Sequence, residues 1–163
     1  MKIAILTPLK FEAAETFIQN HITELPFDSV VIHGGEFPHL LETDMPTNFQ
    51  RQGFKFFNWL KKKLGFMGQT FQEYSLSRIL KNENVDVVFA EYLITGSEAV
   101  EVCEKLNIPL MAIALGYEIS IYDVIKKHED KYRKLFQYAT NIFVVSEHMK
   151  TNIMALGCSE EKI

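Results

Sequence analysis

Short runs of consecutive apolar residues alternate along the chain with longer stretches in which apolar residues recur every three or four positions. Runs without polar alternation are typical of strands covered on both faces, and the second pattern is typical of helices with one buried face. The first run, Lys2–Leu6, is too short for the apolar core of a signal peptide, so it predicts a buried strand. Four further strands are predicted at residues 29–32, 86–90, 109–115 and 141–145.

The helices between these strands have recognisable start signals. An apolar stripe over residues 14–25, which includes His21, predicts the first helix. Thr70 with Glu73, and Thr95 with Glu98, have the spacing of a capping box, in which two side chains satisfy each other's free backbone N–H groups at a helix start. These pairs predict two further helices.

The remaining helices complete a regular alternation. They are predicted at residues 48–64, from residues 120–123 onward, and after Ser146, which is a favoured N-cap residue. Strands that alternate with helices predict an α/β fold, a doubly wound parallel sheet with helices on both faces. Because the last residues resemble the approach to a further strand, we expect residues 1–163 to be the N-terminal piece of a longer protein.

Composition narrows the class of protein. The chain has 163 residues and 47% hydrophobic residues, which suits one globular domain. A net charge of −4 argues against nucleic acid as the main partner. Cys103 and Cys158 lack CxxC spacing, which favours a reducing compartment. The cysteine pattern therefore predicts a cytoplasmic protein. No apolar run is long enough for a membrane span.

The segment from Met45 to Gln72 contains no acidic residue but many lysines and aromatic residues. Three interpretations remain open for residues 49–71. The segment is a helix packed on the sheet with its lysines in solvent, or it forms a lid or a wall of a binding site. Alternatively, it contacts an anionic membrane surface, which would make the protein peripheral at the inner face of the membrane.

Several common sites are absent from the sequence. The loop after the first strand has no GxGxxG, and the chain has neither GxxxxGK[ST] nor GxSxG. The five histidines have no metal-binding spacing, although His33 and His39 could meet in space. We therefore predict no nicotinamide or other cofactor and no metal.

Candidate binding residues follow the strands, because ligands of open parallel sheets bind beyond the carboxyl ends of the strands. Glu91 is either a rim residue or a substrate contact. Tyr117 and Glu118 either face solvent or bind a sugar, the ring by stacking and the carboxylate by accepting from hydroxyl groups. Glu15 either complements the dipole of the first helix or faces the same cleft.

Three segments carry a resemblance to a known family. Residues 14–18 read AETFI, and residues 108–120 read IPLMAIALGYEIS. The third segment has two pieces: residues 143–150 read FVVSEHMK, and residues 156–163 read LGCSEEKI. In this order they resemble the motifs SETFI, iPlv…HGyDis and vvSe.lk…lG…eKI of the family 4 (group 1) retaining glycosyltransferases. The resemblance covers about the whole chain apart from residues 36–72.

This resemblance implies a two-domain GT-B enzyme. Residues 1–163 would be its Rossmann-like, acceptor-side N-terminal half, and the C-terminal donor domain would be absent. The family transfers a sugar from a nucleotide-sugar donor to an acceptor, here a glycan or a lipid-linked molecule, without a bound divalent metal for catalysis. On this basis Glu15, Glu91, Tyr117 and Glu118 are the predicted substrate contacts, no catalytic residue is assigned, and the fragment alone is expected to be inactive.

The sequence departs from the family motifs at four positions. Leu115 and Glu91 stand where the family often has histidines, Glu118 replaces an aspartate, and Ala14 replaces a serine. These departures leave an alternative open, in which the chain is a non-catalytic α/β module that binds a ligand or another protein.

Overall fold

The computed structural model of the chain describes residues 1–9, 16–41 and 70–163. The predicted helix at 48–64, the aromatic segment 49–71 up to residue 69, and Glu15 lie outside these residues. The strands described are β1 Lys2–Leu6, β2 Asp28–His33, β3 Leu40–Leu41, β4 Val87–Glu91, β5 Leu110–Ile113 and β6 Asn141–Phe143. The α-helices described are α1 Thr16–Glu24, α2 Phe71–Asn82, α3 Leu93–Leu106, α4 Tyr117–Ser120, α5 Tyr122–Tyr138 and α6 Glu147–Ala155, and a 3-10 turn follows at Glu160–Lys162.

The strands form one sheet in the order β3-β2-β1-β4-β5-β6. The pairs β1–β2, β1–β4, β4–β5 and β5–β6 are parallel, which confirms the predicted doubly wound α/β class. Strand β3 pairs antiparallel with β2 through two residue pairs, His33 with Leu40 and Ile32 with Leu41. It was not predicted, because two residues are too few to establish a hydrophobic period.

Both faces of the sheet are covered, and β1 shows how. Successive side chains of a strand point to opposite faces. Ile3 and Ile5 pack on the side of α1, with Ile22, whereas Ala4 and Leu6 belong to the larger core beneath α2, α3 and α5. All four side chains are buried. Burial on two faces explains why the strand reads as an unbroken apolar run, and it confirms helices on both sides of the sheet.

The largest core lies between α3 and the central strands, and Gly96 allows the close contact. A Cβ atom at Gly96 would lie 3.1 Å from Cβ of Ala112 on β5 and 3.4 Å from Cβ of Ala90 on β4. It would also lie 3.4 Å from Cδ1 of Leu135 on α5. The missing side chain therefore lets the first turns of α3 pack directly on the sheet.

The capping box at the start of α2 is confirmed. The Thr70 hydroxyl accepts from the Glu73 N–H at 3.2 Å, and the Thr70 N–H donates to Oε2 of Glu73 at 2.6 Å. Two backbone N–H groups that would have no helical partner are thereby satisfied.

We expect Thr70→Ala to lower the free energy of unfolding by about 1 kcal/mol, since it removes the capping oxygen. Urea denaturation would measure the change. Thr70→Ser keeps the hydroxyl and is the matched control. A loss for the alanine variant no larger than that for the serine variant would contradict the role of the hydroxyl.

The second predicted capping box, at Thr95 and Glu98, is wrong. Helix α3 begins at Leu93, and the cap position is Tyr92, whose side chain makes no capping hydrogen bond. Its carbonyl accepts from the Gly96 N–H at 3.0 Å. Strand β4 therefore passes into α3 without a loop, and this junction places Thr95 in the buried first turns, where tertiary packing overrides a local capping preference.

The predicted helix start at Ser146 is confirmed, because its hydroxyl accepts from the Met149 N–H at 3.3 Å. The helix start expected at residues 120–123 is also confirmed, since α5 begins at Tyr122. The preceding four-residue helix α4 was not predicted. Helix α4 follows the carboxyl end of β5, and α6 follows that of β6, where candidate binding residues were expected.

Candidate functional site

A cleft of about 450 Å³ lies over the carboxyl ends of β4 and β5, beside α1. Its volume falls within the range of small-molecule sites. Strand β1, which leads toward α1, has β2 on one side and β4 on the other, so the order of strands reverses here. This reversal is where open α/β sheets bind ligands. The described lining consists of Phe17, His21, Tyr92, Ile113, Leu115, Tyr117 and Val145.

A carboxylate–imidazole pair adjoins this cleft, which His21 lines. Glu91, the last residue of β4, is 0% exposed, and its Oε1 lies 2.7 Å from Nδ1 of His21 on α1. Burial raises the pKa of Glu91, and the hydrogen bond and charge of His21 oppose that shift. The second oxygen, Oε2, is buried and makes no hydrogen bond to any residue that the structure describes. The pair therefore holds a buried acidic group beside a ring that reaches the cleft.

The His21 ring is fixed by two aromatic neighbours as well as by Glu91. Phe17 and Phe89 each contact it edge-on, with ring centroids 6.4 and 5.7 Å away. The side chain of His21 is still 32% exposed. Because Nδ1 is committed to Glu91, the nitrogen left for a ligand is Nε2.

Two tyrosines form another part of the wall. The rings of Tyr92 and Tyr117 meet edge-on with centroids 5.7 Å apart, and Tyr117 is 49% exposed. Burial raises the pKa of the Tyr117 hydroxyl, and the charges of Glu118 and Glu36 raise it further. The hydroxyl therefore stays protonated at neutral pH. A half-exposed ring of this kind offers a flat face to a sugar.

Tyr92 has an unusual backbone conformation, with φ 79° and ψ 143°. A side chain with a Cβ atom rarely adopts a positive φ, and such strain clusters at functional sites. Here the strain belongs to the direct passage from β4 into α3, and it coincides with the placement of the Tyr92 ring in the cleft wall.

Glu118 is completely buried and is not among the described residues that line the cleft. Its Oε1 accepts from the Leu115 N–H at 2.9 Å, and its backbone carbonyl accepts from the Tyr132 hydroxyl at 3.2 Å. These contacts close the turn at Gly116, whose φ of 125° suits glycine. In this structure the described contacts of Glu118 organise the turn that carries Tyr117, and a contact with substrate stays a prediction.

The predicted site residues are thus brought together only in part. Tyr117 lines the cleft, Glu91 reaches it through His21, and Glu118 supports the neighbouring turn. Glu15 is outside the described residues. The other described lining residues were not predicted as contacts: Phe17, His21, Tyr92, Ile113, Leu115 and Val145. The sequence feature that could have identified His21 is that this ionisable ring stands within the apolar stripe of the first helix.

The described lining of the cleft is largely apolar. It contains no lysine and no arginine, which are the side chains that usually hold a diphosphate. Within the described residues, no group of three or more histidine, cysteine, aspartate or glutamate side chains could hold a metal ion. No helix in the described ranges combines the length and the hydropathy that a membrane span requires.

Comparison with known proteins gives a fold but no close relative. The chain matches no protein-family profile and no curated protein sequence. Among solved structures, Staphylococcus aureus MnaA, in a co-structure with UDP, aligns with a TM-score of 0.60 at 12% identity over 99% of this chain and 42% of its own.

Two other solved structures give the same result. UDP-GlcNAc 2-epimerase from Neisseria meningitidis, bound to UDP-GlcNAc, aligns with a TM-score of 0.59 at 16% identity over 99% of this chain and 44% of its own. The Methanocaldococcus jannaschii UDP-GlcNAc 2-epimerase has a TM-score of 0.54 at 17% identity, covering 100% and 44%. The chain therefore spans less than half the length of these proteins. The likeness supports a GT-B-like, Rossmann-like half-domain.

Proposed function

We propose that this chain is the N-terminal, acceptor-binding half of a two-domain GT-B enzyme. The enzyme transfers a sugar from a nucleotide-sugar donor to a glycan or lipid-linked acceptor, with retention of anomeric configuration. The main support for the proposal is that the segments that resemble the family supply most of the described lining of the cleft. Of the seven described lining residues, five come from them: Phe17 from 14–18, Ile113, Leu115 and Tyr117 from 108–120, and Val145 from 143–150.

The character of the cleft supports the acceptor role. Aromatic rings and a buried carboxylate–imidazole pair can bind the faces and hydroxyl groups of a sugar. Because the described lining has no cationic side chain, the donor diphosphate would be held by the second half of the enzyme. Closure of the two halves would then bring the acceptor hydroxyl to the anomeric carbon, and this positioning supplies much of the rate.

A second candidate is epimerisation of a UDP-sugar. It is favoured by the structural neighbours, which include UDP-GlcNAc 2-epimerases. Inverting a carbon centre requires that its proton be removed and returned, and the Glu91–His21 pair is a group of the right chemistry. Because these neighbours share only 16–17% sequence identity with this chain, they establish the fold alone. The choice between the two reactions therefore rests on the motif segments, which favour sugar transfer.

These functions are tested in assays of the complete polypeptide encoded by the gene. A panel of nucleotide sugars is first screened for protection against heat, since a ligand that binds the folded state raises its stability. The protective donor is then incubated with and without glycan and lipid-linked acceptors. We expect release of nucleoside diphosphate that depends on the acceptor, and no release by residues 1–163 alone.

Other outcomes separate the alternatives. Conversion of the nucleotide sugar to an epimer without any acceptor would favour the second candidate over the first. Neither reaction with any donor would contradict both and would favour a non-catalytic binding module. Transfer by residues 1–163 alone would contradict the assignment of this chain to one half of the enzyme.

A further inference from the structure

We propose that His21 is a specificity-determining residue, whose Nε2 accepts a hydrogen bond from one hydroxyl group of the acceptor sugar. This inference rests on the function proposed above and names the chemical feature that the cleft recognises. The hydroxyl keeps its proton and takes no part in the bond exchange at the anomeric carbon, so the contact is compatible with retention of configuration. None of the segments that resemble the family contains His21.

The hydrogen bond to Glu91 selects one nitrogen of the His21 ring. Oε1 of Glu91 lies 2.7 Å from Nδ1 of His21, a distance typical of a hydrogen bond to a charged group. Burial raises the pKa of Glu91, but this hydrogen bond and the charge of His21 favour its ionised form. An ionised carboxylate only accepts hydrogen bonds, so the neutral imidazole carries its proton on Nδ1 and its lone pair on Nε2. A hydroxyl group can donate to that lone pair, whereas a carbonyl or ether oxygen cannot.

The two members of the pair differ in their access to the cleft. Glu91 is 0% exposed, whereas the side chain of His21 is 32% exposed and lines the cleft. The rings of Phe17 and Phe89 contact the imidazole edge-on and hold its orientation. Because Nδ1 is turned toward Glu91, the edge of the ring that carries Nε2 is the part left for a ligand.

A stacking surface shares the cleft with this nitrogen. The ring of Tyr117 is half exposed, and the ring of Tyr92 supports it edge-on. An aromatic ring can bind the apolar face of a sugar, and a precisely placed polar group beside it fixes the orientation of the ligand. The cleft therefore combines the two contacts that recognition of a sugar ring requires.

The exposure of His21 limits the size of the effect. A closed site that binds a substrate hydroxyl rejects an analogue without it by about 10⁴–10⁵-fold, because a buried polar group is then left unpaired. At 32% exposure, water can take the place of a missing hydroxyl at His21. We therefore expect a loss of about 10-fold in affinity, within the range of a single neutral hydrogen bond.

The binding of simple glycosides to the complete polypeptide tests the contact without any transfer reaction. The probes are the methyl α-glycosides of glucose, mannose, galactose and N-acetylglucosamine. Saturation-transfer NMR identifies the probe that binds most tightly, and its monodeoxy analogues are then titrated. We expect one analogue to bind the wild type about 10-fold more weakly than its parent. His21→Asn, whose amide can donate to Glu91 but has no counterpart to Nε2, should bind the two equally.

The control and the contrary outcomes are equally definite. Asn20→Gln changes an exposed neighbour on the same helix and should keep the wild-type preference. If His21→Asn discriminated between parent and analogue as strongly as the wild type, or if no probe bound the wild type, the role of His21 would be overturned.

The transfer assay separates this inference from the proposed function. In His21→Asn we expect the KM of the acceptor to rise about 10-fold, with little change in kcat and with the anomeric configuration still retained. Wild-type transfer together with an unchanged acceptor KM in His21→Asn would overturn the role of His21 and leave sugar transfer intact. A polypeptide that transfers no sugar but loses the preference for the parent glycoside in His21→Asn would overturn the proposed function and leave the contact standing.

A spectroscopic measurement on the complete polypeptide tests the state of the ring directly. With ¹⁵N-labelled histidine, NMR at a pH where the ring is neutral should show His21 protonated on Nδ1. The signal is assigned by its absence in His21→Asn, and the bound glycoside should shift the resonance of Nε2. A neutral ring protonated on Nε2 would overturn the proposal, because its lone pair would then face Glu91 rather than the cleft.

Discussion

Replacing His21 with alanine is expected to lower the free energy of unfolding by about 3 kcal/mol at pH 7. Glu91 is completely buried, and its described hydrogen bond is to His21. Removing one member of a buried pair leaves the other as an uncompensated charge, which typically costs about 3–5 kcal/mol. Urea denaturation of both proteins at a series of pH values would measure the loss.

The loss should depend on pH in a definite direction. Burial already raises the pKa of Glu91 in the folded protein, and without His21 that pKa rises further. A carboxyl whose folded pKa exceeds its unfolded pKa favours folding below the unfolded value, and this contribution disappears as the pH rises through the folded value. The deficit of His21→Ala should therefore be small in acid and should grow as the pH rises through the raised pKa of Glu91.

His21→Asn is the matched control for this experiment, since its amide can still donate to Glu91. It should recover most of the stability lost in the alanine variant at pH 7. If His21→Ala had the same deficit at acid and neutral pH, the cause would be lost packing of the ring rather than an unpaired carboxylate.

Gly96→Val is expected to lower the free energy of unfolding by about 3 kcal/mol. A Cβ atom at this position meets Ala112 Cβ at 3.1 Å and Ala90 Cβ at 3.4 Å. These atoms are attached directly to strand backbone and cannot rotate away, so the two γ-methyl groups of valine would push α3 off the sheet. Overpacking of a dense core typically costs about 1–3 kcal/mol, and this position is at the upper end because both neighbours are fixed.

Thermal or urea unfolding would measure the effect of Gly96→Val. Glu104→Val places the same side chain on an exposed position of the same helix and should change stability by only a few tenths of a kcal/mol, on the order of the helix-propensity difference. Equal stability of the Gly96→Val protein and the wild type would contradict the close packing of α3 on β4 and β5.

The alternation of strands and helices could be predicted because each strand is buried on two faces. Strand β1 was predicted with its observed limits, and β4 with a shift of one residue. The start of α3 was predicted three residues late, because no local signal indicates that β4 continues directly into a helix. Strand β3 depends on pairing with β2 and leaves no periodic pattern of its own.

The residues of the candidate site that lie at or just after strand ends could be predicted. Glu91 was identified because it ends a strand at the expected edge, and Tyr117 because it follows β5. His21 was not identified, because its partner is 70 residues away in sequence and its ring lies within an apolar stripe. Only the packing of α1 on the sheet brings the imidazole to the carboxylate, so no local pattern distinguishes it from a core histidine.

The two outer strands of the described sheet are its shortest. Strand β3 has two residues and β6 has three. Natural proteins commonly use short borders of this kind to deny foreign chains a template for backbone pairing. A second polypeptide that joined the sheet alongside β6 could gain no more than a few main-chain hydrogen bonds. Within the described residues, the β6 edge therefore offers little backbone for extension of the sheet.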